Sequence, residues 1–392
     1  MNNDTLRKER LQNLIDTISF KAPKKVPVGV EVLSWPLSYG GVRYSDTFGD
    51  PHKTAEAYVK FLDIVNLDFY MGGMISRPVK AYQALGCFNF ELSSDGNTIA
   101  HIQPNIEYMS TDEYPEFIND PEGYRSKLLK RQCKALRLSR DEAYESVKEA
   151  LKEYRAYTAT NRLISDRFDE KGIVLIAVSH GNPVRFSSPL SAIFDRFRGM
   201  RDTLLDLKRR PDMVRQACAS LLDRMRLEFD RLQANDFSAP FPLGYTVYHV
   251  ECFLSPPLFD EFFFDPFKEL CLPFMEAGTK IFLKGEGMFL NTIDRYRQLP
   301  KGSVVIMLDQ DDPFEMHKAI GDWQTIATGI TSDLLKLGTK DQCVDYVKRC
   351  FDTFAPGGGF IFMPNKPLLS DGDTKIENLI AVYETANELS EK

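Results

Sequence analysis

The last third of the chain constrains its fold most, because short apolar runs there alternate with segments of helical pattern. Five apolar runs are predicted as strands, and they span 245–250, 279–283, 303–308, 323–328 and 359–363. Each run ends at polar residues, and helical segments fill the intervals between the runs. Strands that alternate with helices form parallel sheets. In a closed (β/α) barrel the ends of such strands meet at one mouth, where these barrels carry their chemistry.

The first half of the chain is predicted to add helices and a hairpin to the same barrel. Its predicted elements are a lead-in helix over 4–20, a helix over 51–64, a first barrel strand over 65–71 and a buried strand over 173–179. The segment 26–56 is rich in aromatic residues, Gly and Pro and is predicted to be irregular. Asp95-Gly96 lies between two short extended runs and predicts a β-hairpin near 87–102. The capping box Ser139-x-x-Glu142 predicts a helix start.

We therefore predict an α/β fold with one domain over 1–392, a single (β/α)8 TIM barrel with an elaborated, helix-rich N-terminal half. Residues 1–64 are expected to form an N-terminal extension and lid, and 65–392 the barrel, with an insertion at about 84–165. Barrels of this kind often exceed the usual length of one domain. With 43% hydrophobic residues, the chain can bury a core of the size that such a barrel needs.

Charge and cysteine content argue against several classes of protein. The formal charge of −7 is unlike that of a general nucleic-acid-binding protein. The seven cysteines are scattered and form no CxxC pair, which favours reduced thiols over a disulfide framework. The N-terminus has no apolar signal region, and no apolar run is long enough to span a membrane. We therefore expect a cytoplasmic protein without a nucleic-acid or membrane partner.

Polar residues at the predicted strand ends are the candidate site. Glu286 lies between two glycines, where a substrate can approach the backbone closely, and it is predicted as a catalytic acid or a metal ligand. Asp309 belongs to an acidic cluster that could transfer protons or hold a hard cation. His249 and Glu251 differ by two positions, which predicts that both face the same side of a strand. There they could ligate a metal or take part in acid–base chemistry.

A second set of residues is predicted to contact the substrate. Its members are Lys284, His180, Asn365, Lys366 and Tyr70. Several of the candidates have an equally reasonable structural interpretation. Lys284 could form an ion pair within the protein, and His180 could fix a loop by a hydrogen bond. Asp311 or Asp312 is expected to cap the helix that begins at Pro313.

Four strings of sequence carry a resemblance to a known family. They are SSPLSAIFDRFRGMRDTLLDLKRRPDMVRQA (187–217), FLSPPLFDEFFFDPFKELCLPFMEAGTKIFLKGEG (253–287), LPKGSVVIMLDQDDPFEMHKAIGD (299–322) and GGGFIFMPNKPLLSDGDTKIENLIAVYETANE (357–388). In order and spacing they resemble the uroporphyrinogen decarboxylase superfamily, and within it the branch of corrinoid-dependent methyltransferases and O-demethylase components. The resemblance implies a (β/α)8 barrel that exchanges a methyl group with the cobalt of a corrinoid protein. It also implies zinc in many members, and a homodimer.

The sequence departs from the zinc-dependent members of this superfamily. Those that methylate thiols carry His-x-Cys where this chain has Lys284-Gly285-Glu286, and a later Cys where it has Pro364-Asn365-Lys366. These soft zinc ligands are therefore missing. Members that resemble aryl O-demethylases use carboxylates with a histidine, and Glu286 is consistent with that set. Glu286, Glu251 and Asp309 are the metal ligands that remain to be considered.

The resemblance leads us to expect a methyltransferase that moves a methyl group from a small O-methyl or aromatic donor to a corrinoid protein. Two alternatives stay open, a metal-free decarboxylase of a tetrapyrrole and a non-catalytic ligand-binding barrel. A decarboxylase would need cations at the mouth, for which Lys284, Lys366 and Arg185 are the candidates. The Arg-rich motif of the family's decarboxylases is missing from 20–50, where Arg43 is the one arginine.

Overall fold

The fold is built on parallel strands that alternate with helices, which confirms the prediction of an α/β protein. The computed structural model describes residues 3–72, 75, 77–87, 90–100, 107–176, 184–234 and 243–391. The strands are β1 (Gly29–Glu31), β2 (Phe69–Met71), β3 (Glu91–Leu92), β4 (Ile99–Ala100), β5 (Val174–Ile176), β6 (Arg185–Phe186), β7 (Leu243–Val247), β8 (Lys280–Lys284), β9 (Val304–Met307), β10 (Thr325–Thr328) and β11 (Phe360–Phe362).

Helices cover most of the remaining described residues. The α-helices are α1 (Asn3–Ile18), α2 (Trp35–Tyr39), α3 (Pro51–Ile64), α4 (Val79–Leu85), α5 (Tyr114–Asn119), α6 (Pro121–Gln132), α7 (Arg140–Asp169), α8 (Pro189–Ala192), α9 (Met200–Arg209), α10 (Pro211–Ala234), α11 (Pro256–Phe259), α12 (Asp265–Glu276), α13 (Pro313–Ile320), α14 (Ser332–Leu337), α15 (Lys340–Phe354) and α16 (Ile376–Ser390). Two π-helical turns, Ile193–Arg198 and Asp260–Phe264, continue α8 and α11. None of the helices in the described part of the chain is long and apolar enough to cross a bilayer.

Two parallel sheets contain most of the strands. One has the order β1-β2-β5, and the other has the order β11-β10-β9-β8-β7-β6. Two isolated parallel bridges, Val28 with Phe362 and Val32 with Leu368, link the segment of β1 to the segment of β11. Across the described residues no pairing joins β5 to β6, so the strand pairing leaves an eight-stranded closed barrel unproven.

One hydrophobic core is shared by both sheets. It takes side chains from β2 and β5 of the smaller sheet, such as Phe69 and Val174, and from β8 and β9 of the larger one, such as Phe282 and Val305. Ile18 near the end of α1 packs onto the same core. Side chains of both sheets therefore surround a common interior, with α1 across one end of it.

A buried ion pair fixes α1 at the amino ends of the strands. Asp68 directly precedes β2, and its Oδ1 accepts hydrogen bonds from Arg10 Nε at 3.2 Å and from Lys25 Nζ at 3.0 Å. The other oxygen, Oδ2, accepts from the backbone N–H of Val28 at 2.9 Å. Only 3% of the Asp68 side chain is exposed. Because α1 covers the amino ends, the carboxyl ends of the strands are left to form the site.

Most elements of the second half begin and end close to their predicted bounds. β8, β9 and β11 each lie within one residue of the predicted runs, and β10 begins two residues later than predicted but ends where predicted. β7 begins and ends earlier than predicted. In the first half, α1 and α3 are confirmed, as is the hairpin formed by β3 and β4. The capping box is present, since the Ser139 backbone N–H donates to Glu142 Oε2 at 3.1 Å. Asp312 caps α13 as expected, accepting from the backbone N–H of Phe314 at 2.8 Å.

The prediction that residues 65–71 hold the first strand is wrong, because β1 precedes them. β1 has only three residues and lies in the segment that was predicted to be irregular. Gly29 pairs with Phe69, and a Cβ atom at Gly29 would lie 2.1 Å from the Phe69 ring. This close approach requires glycine, and glycine interrupts the apolar alternation by which a strand is recognised in a sequence.

The seven cysteines are free thiols, in agreement with the expectation from their spacing. The backbones of two of them, Cys87 and Cys133, pair in an isolated antiparallel β-bridge. The Sγ atoms of these two free thiols are 2.9 Å apart. Burial and the contact with Cys133 raise the pKa of the Cys87 thiol to about 12. A thiol with so high a pKa is mostly protonated at neutral pH and is therefore a poor nucleophile.

Candidate functional site

A cavity of about 1030 Å³ lies at the carboxyl ends of β7, β8 and β9, where the sequence predicts the site. Its wall is formed by the segments that follow these strands and by the π-helical turn between α8 and α9. The residues that line it and carry reactive or charged groups are Asp195, His249, Cys252, Glu286, Asp309 and Asp311. Three residues predicted for the chemistry, His249, Glu286 and Asp309, are thus brought together.

His249 is held by the carboxylate of Asp195, a residue that was not among the candidates from the sequence. Its Nδ1 lies 2.7 Å from Asp195 Oδ2, and its Nε2 lies 3.9 Å from Glu286 Oε2. The side chain of His249 is 35% exposed, so the imidazole is packed on one side and open to the cavity on the other. A carboxylate at one ring nitrogen orients the ring and leaves the second nitrogen for proton transfer.

Glu251 lies beneath His249 and positions its backbone. The Glu251 side chain is buried, and its carboxylate accepts hydrogen bonds from Ser188 Oγ at 2.5 Å and Ser191 Oγ at 2.8 Å. It also accepts from the backbone N–H of His249 at 2.7 Å. The prediction that His249 and Glu251 lie on one strand is wrong, since β7 ends at Val247 and the chain turns there. The turn lets the carboxylate reach back to the His249 backbone.

Asp309 and Asp311, which follow β9, hold the loop that carries Glu286. Asp309 Oδ2 accepts from the backbone N–H of Gly287 at 2.8 Å. Asp311 Oδ2 accepts from the backbone N–H of Phe289 at 2.7 Å, and Asp311 Oδ1 accepts from Leu290 N–H at 3.2 Å. These bonds fix the direction in which the loop leaves β8, and so the place of Glu286 at the cavity wall.

The electrostatic environment favours the protonated form of His249. Burial lowers its pKa, but the hydrogen bond and charge of Asp195, together with the charge of Glu286, outweigh burial, so the pKa lies above the usual value. The pKa of Glu286 is raised as well, first by burial and then by Asp309, against the opposing effects of His249 and Lys284. An imidazolium is therefore stabilised beside a carboxyl group whose proton affinity is increased.

The residues predicted to bind substrate lie mostly outside this cavity. Lys284 Nζ donates to Glu31 Oε1 at 2.9 Å, which is the ion pair considered as its structural role. Tyr70 is buried in the core, and its hydroxyl donates to the backbone oxygen of Val32. His180 lies outside the described residues. Cys252 also lines the cavity.

Asn365 and Lys366 support Asp309 from the side of β11. Asn365 Nδ2 donates to the backbone oxygen of Asp309 at 2.6 Å, and Lys366 Nζ lies 3.2 Å from Asp309 Oδ1. Both residues line a smaller neighbouring cavity of about 340 Å³, on the other side of Asp309. Their contacts fix the position and charge of Asp309, whereas a direct contact with substrate stays a prediction.

The three predicted metal ligands are not arranged around one point. The Glu251 carboxylate is occupied by serine hydroxyls and a backbone N–H, and Asp309 is directed to Gly287 and Lys366. In the described ranges of the chain, no group of three or more His, Cys, Asp or Glu side chains could hold a metal ion. His249 Nε2 and Glu286 Oε2 lie 3.9 Å apart and form a pair of donors, which is fewer than the three protein ligands of a catalytic zinc site. The described residues therefore do not fit zinc.

Asp195 is the functional candidate that sequence reasoning missed. It lies within a segment of helical pattern and is one of many acidic residues on helices. In the structure this segment is a π-helical turn, Ile193–Arg198. Such turns interrupt α-helices and occur often at functional sites. A π-turn has no simple sequence signature, so the position of Asp195 opposite His249 becomes visible only in the structure.

Comparison with known proteins adds an observation about the fold. No family model matches the sequence, and no curated protein matches it, so the resemblance to the uroporphyrinogen decarboxylase superfamily stays an expectation. Among solved structures the chain is similar to a methyltransferase from Methanosarcina mazei, with 14% sequence identity and a TM-score of 0.58. The match covers 96% of this chain and 97% of that one. At this identity the likeness concerns the fold alone: the chain has an α/β fold that is shared, over nearly its whole length, with a methyltransferase.

Proposed function

We propose that this protein is a methyltransferase that moves a methyl group from a small O-methyl donor to the Co(I) corrinoid of a partner protein. The observation that carries the proposal is His249, which is held by Asp195 and has Nε2 at the cavity near Glu286. The fold shared with a methyltransferase and the resemblance of the sequence support it. They also support a closed (β/α)8 barrel, with the cavity at its mouth.

His249 would act as a general acid. An alkoxide or phenoxide is a poor leaving group, and a proton delivered to the ether oxygen improves it. The Co(I) centre, which is the second substrate, attacks the methyl carbon while the carbon–oxygen bond breaks with its electron pair on oxygen. His249 Nε2–H supplies the proton, so the products are an alcohol or phenol and methyl-Co(III). The neutral imidazole then takes up a proton from solvent.

The neighbouring carboxylates would prepare His249 for this role. Asp195 orients the ring through Nδ1 and favours the imidazolium, because the positive charge lies 2.7 Å from its carboxylate. Glu251 fixes the backbone of His249 from below. Glu286 stands at the cavity side, where it favours the charged ring and can contact the donor. Asp309 keeps the Glu286 loop in place and is a positioning residue in this scheme.

The rim of the cavity suits the approach of a partner. Four large apolar side chains that line the cavity are exposed: Met200, Phe253, Met288 and Leu290. The exposed fractions range from 36% for Leu290 to 64% for Met288. Clusters of exposed apolar side chains rimmed by polar residues are typical of binding surfaces. A corrinoid protein that docks on this rim would bring cobalt close to the donor.

The decarboxylase alternative receives less support from the same cavity. It requires cations that neutralise the carboxylates of a tetrapyrrole. Lys284, Lys366 and Arg185, the candidates from the sequence, are all outside the described lining of the cavity. The charged groups at its wall are mostly acidic, which disfavours a ligand with several carboxylates.

Methyl transfer is tested with the purified protein, a reduced corrinoid protein and a panel of methyl ethers. We expect the Co(I) absorbance to decay and that of methyl-Co(III) to appear with at least one donor. Methyl iodide, which methylates Co(I) without an enzyme, shows in a parallel sample that the corrinoid is reactive. If the corrinoid reacts with methyl iodide and no ether is turned over, the proposed function is contradicted.

A further inference from the structure

Negatively charged side chains outnumber positively charged ones in the lining of the cavity, and this excess bears on the charge of the substrate that can bind there. Four carboxylates line it, those of Asp195, Glu286, Asp309 and Asp311, whereas none of the described lining residues is a lysine or an arginine. We propose that the site selects its methyl donor by charge, so that it prefers a donor carrying a positively charged group and rejects one carrying a carboxylate. The inference rests on the proposed function and specifies its substrate class.

The segments outside the described residues do not change this balance by their composition. Lysine and arginine are absent from these segments except for Lys392 at the C-terminus. The segments are 1–2, 73–74, 76, 88–89, 101–106, 177–183, 235–242 and 392. Two lysines that lie next to lining elements, one at the end of β8 and one beside Asp309, are engaged with protein carboxylates. Lys284 lies 2.9 Å from Glu31, and Lys366 lies 3.2 Å from Asp309. Among the described lining residues an anionic donor would therefore find no cation except His249, which is already paired with Asp195.

Glu286 is the carboxylate that is left for a ligand. The charges of Asp195 and Asp309 are balanced by His249 and Lys366, and Asp311 accepts two backbone N–H groups. For Glu286, by contrast, the contact found within the described residues is the 3.9 Å approach of His249 Nε2, which is beyond hydrogen-bond length. Its side chain is 46% exposed at the cavity. A donor ammonium group is a suitable partner for this oxygen pair.

The apolar side chains of the cavity wall would contact the uncharged part of the donor. Phe194 and Phe253 line the cavity together with Met200 and Met288. Aromatic rings attract cations through their faces, and both aromatic rings and thioethers pack well against an aromatic donor. A methyl ether with an aromatic ring and an ammonium group away from the methoxy carbon would use both parts of the wall. The leaving oxygen then stays free to receive the proton from His249.

Three matched donors separate charge from shape. They are para-methoxybenzylamine, para-methoxybenzyl alcohol and para-methoxybenzoate, which share the methoxyphenyl group and carry a positive charge, no charge and a negative charge. Binding is measured by calorimetry without any corrinoid, at about pH 8, where a glutamate is ionised and the amine is protonated. We expect the amine to bind about tenfold or more tightly than the benzoate, with the alcohol between them.

A pair of variants tests whether Glu286 causes the preference for a positively charged donor. Glu286→Gln is expected to reduce the preference for the amine over the benzoate several-fold, whereas Glu377→Gln, the same change at an exposed position of α16, leaves it unchanged. Equal or tighter binding of the benzoate, or binding of none of the three donors, overturns the inference. Because binding is measured without Co(I), absence of methyl transfer together with the predicted binding order contradicts the proposed function and leaves the charge preference standing.

Discussion

Replacing His249 with glutamine is expected to lower kcat for methyl transfer about 100- to 10,000-fold, the usual contribution of a general acid. Glutamine keeps the polarity and approximate size of the side chain, but its amide N–H is far too weak an acid to protonate the leaving oxygen. Asp195→Asn should cause a smaller loss, because the imidazole remains while its negative partner at 2.7 Å is removed. The measurement is the initial rate of methyl-Co(III) formation at saturating donor concentration.

His317 supplies the matched control for this experiment. It lies on α13, and its ring packs against Phe354 with centroids 5.0 Å apart, outside the cavity lining. His317→Gln is therefore expected to change kcat little. A His249→Gln enzyme that folds normally by circular dichroism and keeps more than about a tenth of the wild-type kcat would contradict the role of His249 as general acid.

Replacing Asp68 with asparagine is expected to destabilise the protein by about 3–5 kcal/mol, as is usual when one partner of a buried ion pair is removed. The substitution leaves Arg10 and Lys25 next to a neutral side chain in a place where little water can compensate. The packing of α1 over the amino ends of the strands should be weakened first. The free energy of unfolding is measured by urea titration, from the change in midpoint at constant slope.

Asp169, the last residue of α7, offers a control that contacts the same helix, α1. Arg7 of α1 pairs with Asp169 at 3.1 Å, and both side chains are about half exposed. Asp169→Asn should therefore cost no more than about 1 kcal/mol, because exposed ion pairs are screened by solvent. Equal losses for the two substitutions would show that the Asp68 cluster does not fix α1 in the way the structure suggests.

The periodicity of the sequence was a good guide to the fold where strands are apolar and flanked by turns. The runs that became β8 to β11 have branched and aromatic residues at buried positions, and they were found close to their predicted bounds. β1 was missed because it begins at Gly29, which lies against the ring of Phe69. Such a contact depends on a partner strand some forty residues away, which local pattern does not report.

The location of the site could be predicted more reliably than the roles of its residues. His249, Glu286 and Asp309 were predicted from strand ends, and all three line the same cavity, because the carboxyl ends of parallel strands converge. Their partners could not be read from spacing. Lys284 was considered as a substrate anchor, but Glu31, from the other sheet, lies 2.9 Å from it. Asp195 emerged only because a π-helical turn directs it toward His249.

The pH dependence of a single turnover is the most direct test of the proposed chemistry. His249 must be protonated to act as an acid, so the rate of Co(I) methylation should be highest at low pH and fall as pH rises through the pKa of His249. That pKa is raised above the ordinary value of 6.5, so the fall is expected above that pH, and Asp195→Asn should move it to lower pH. His249→Gln should retain only a slow rate without this step. A rate that increases with pH across the same range, or an unchanged step in His249→Gln, would contradict proton donation by His249.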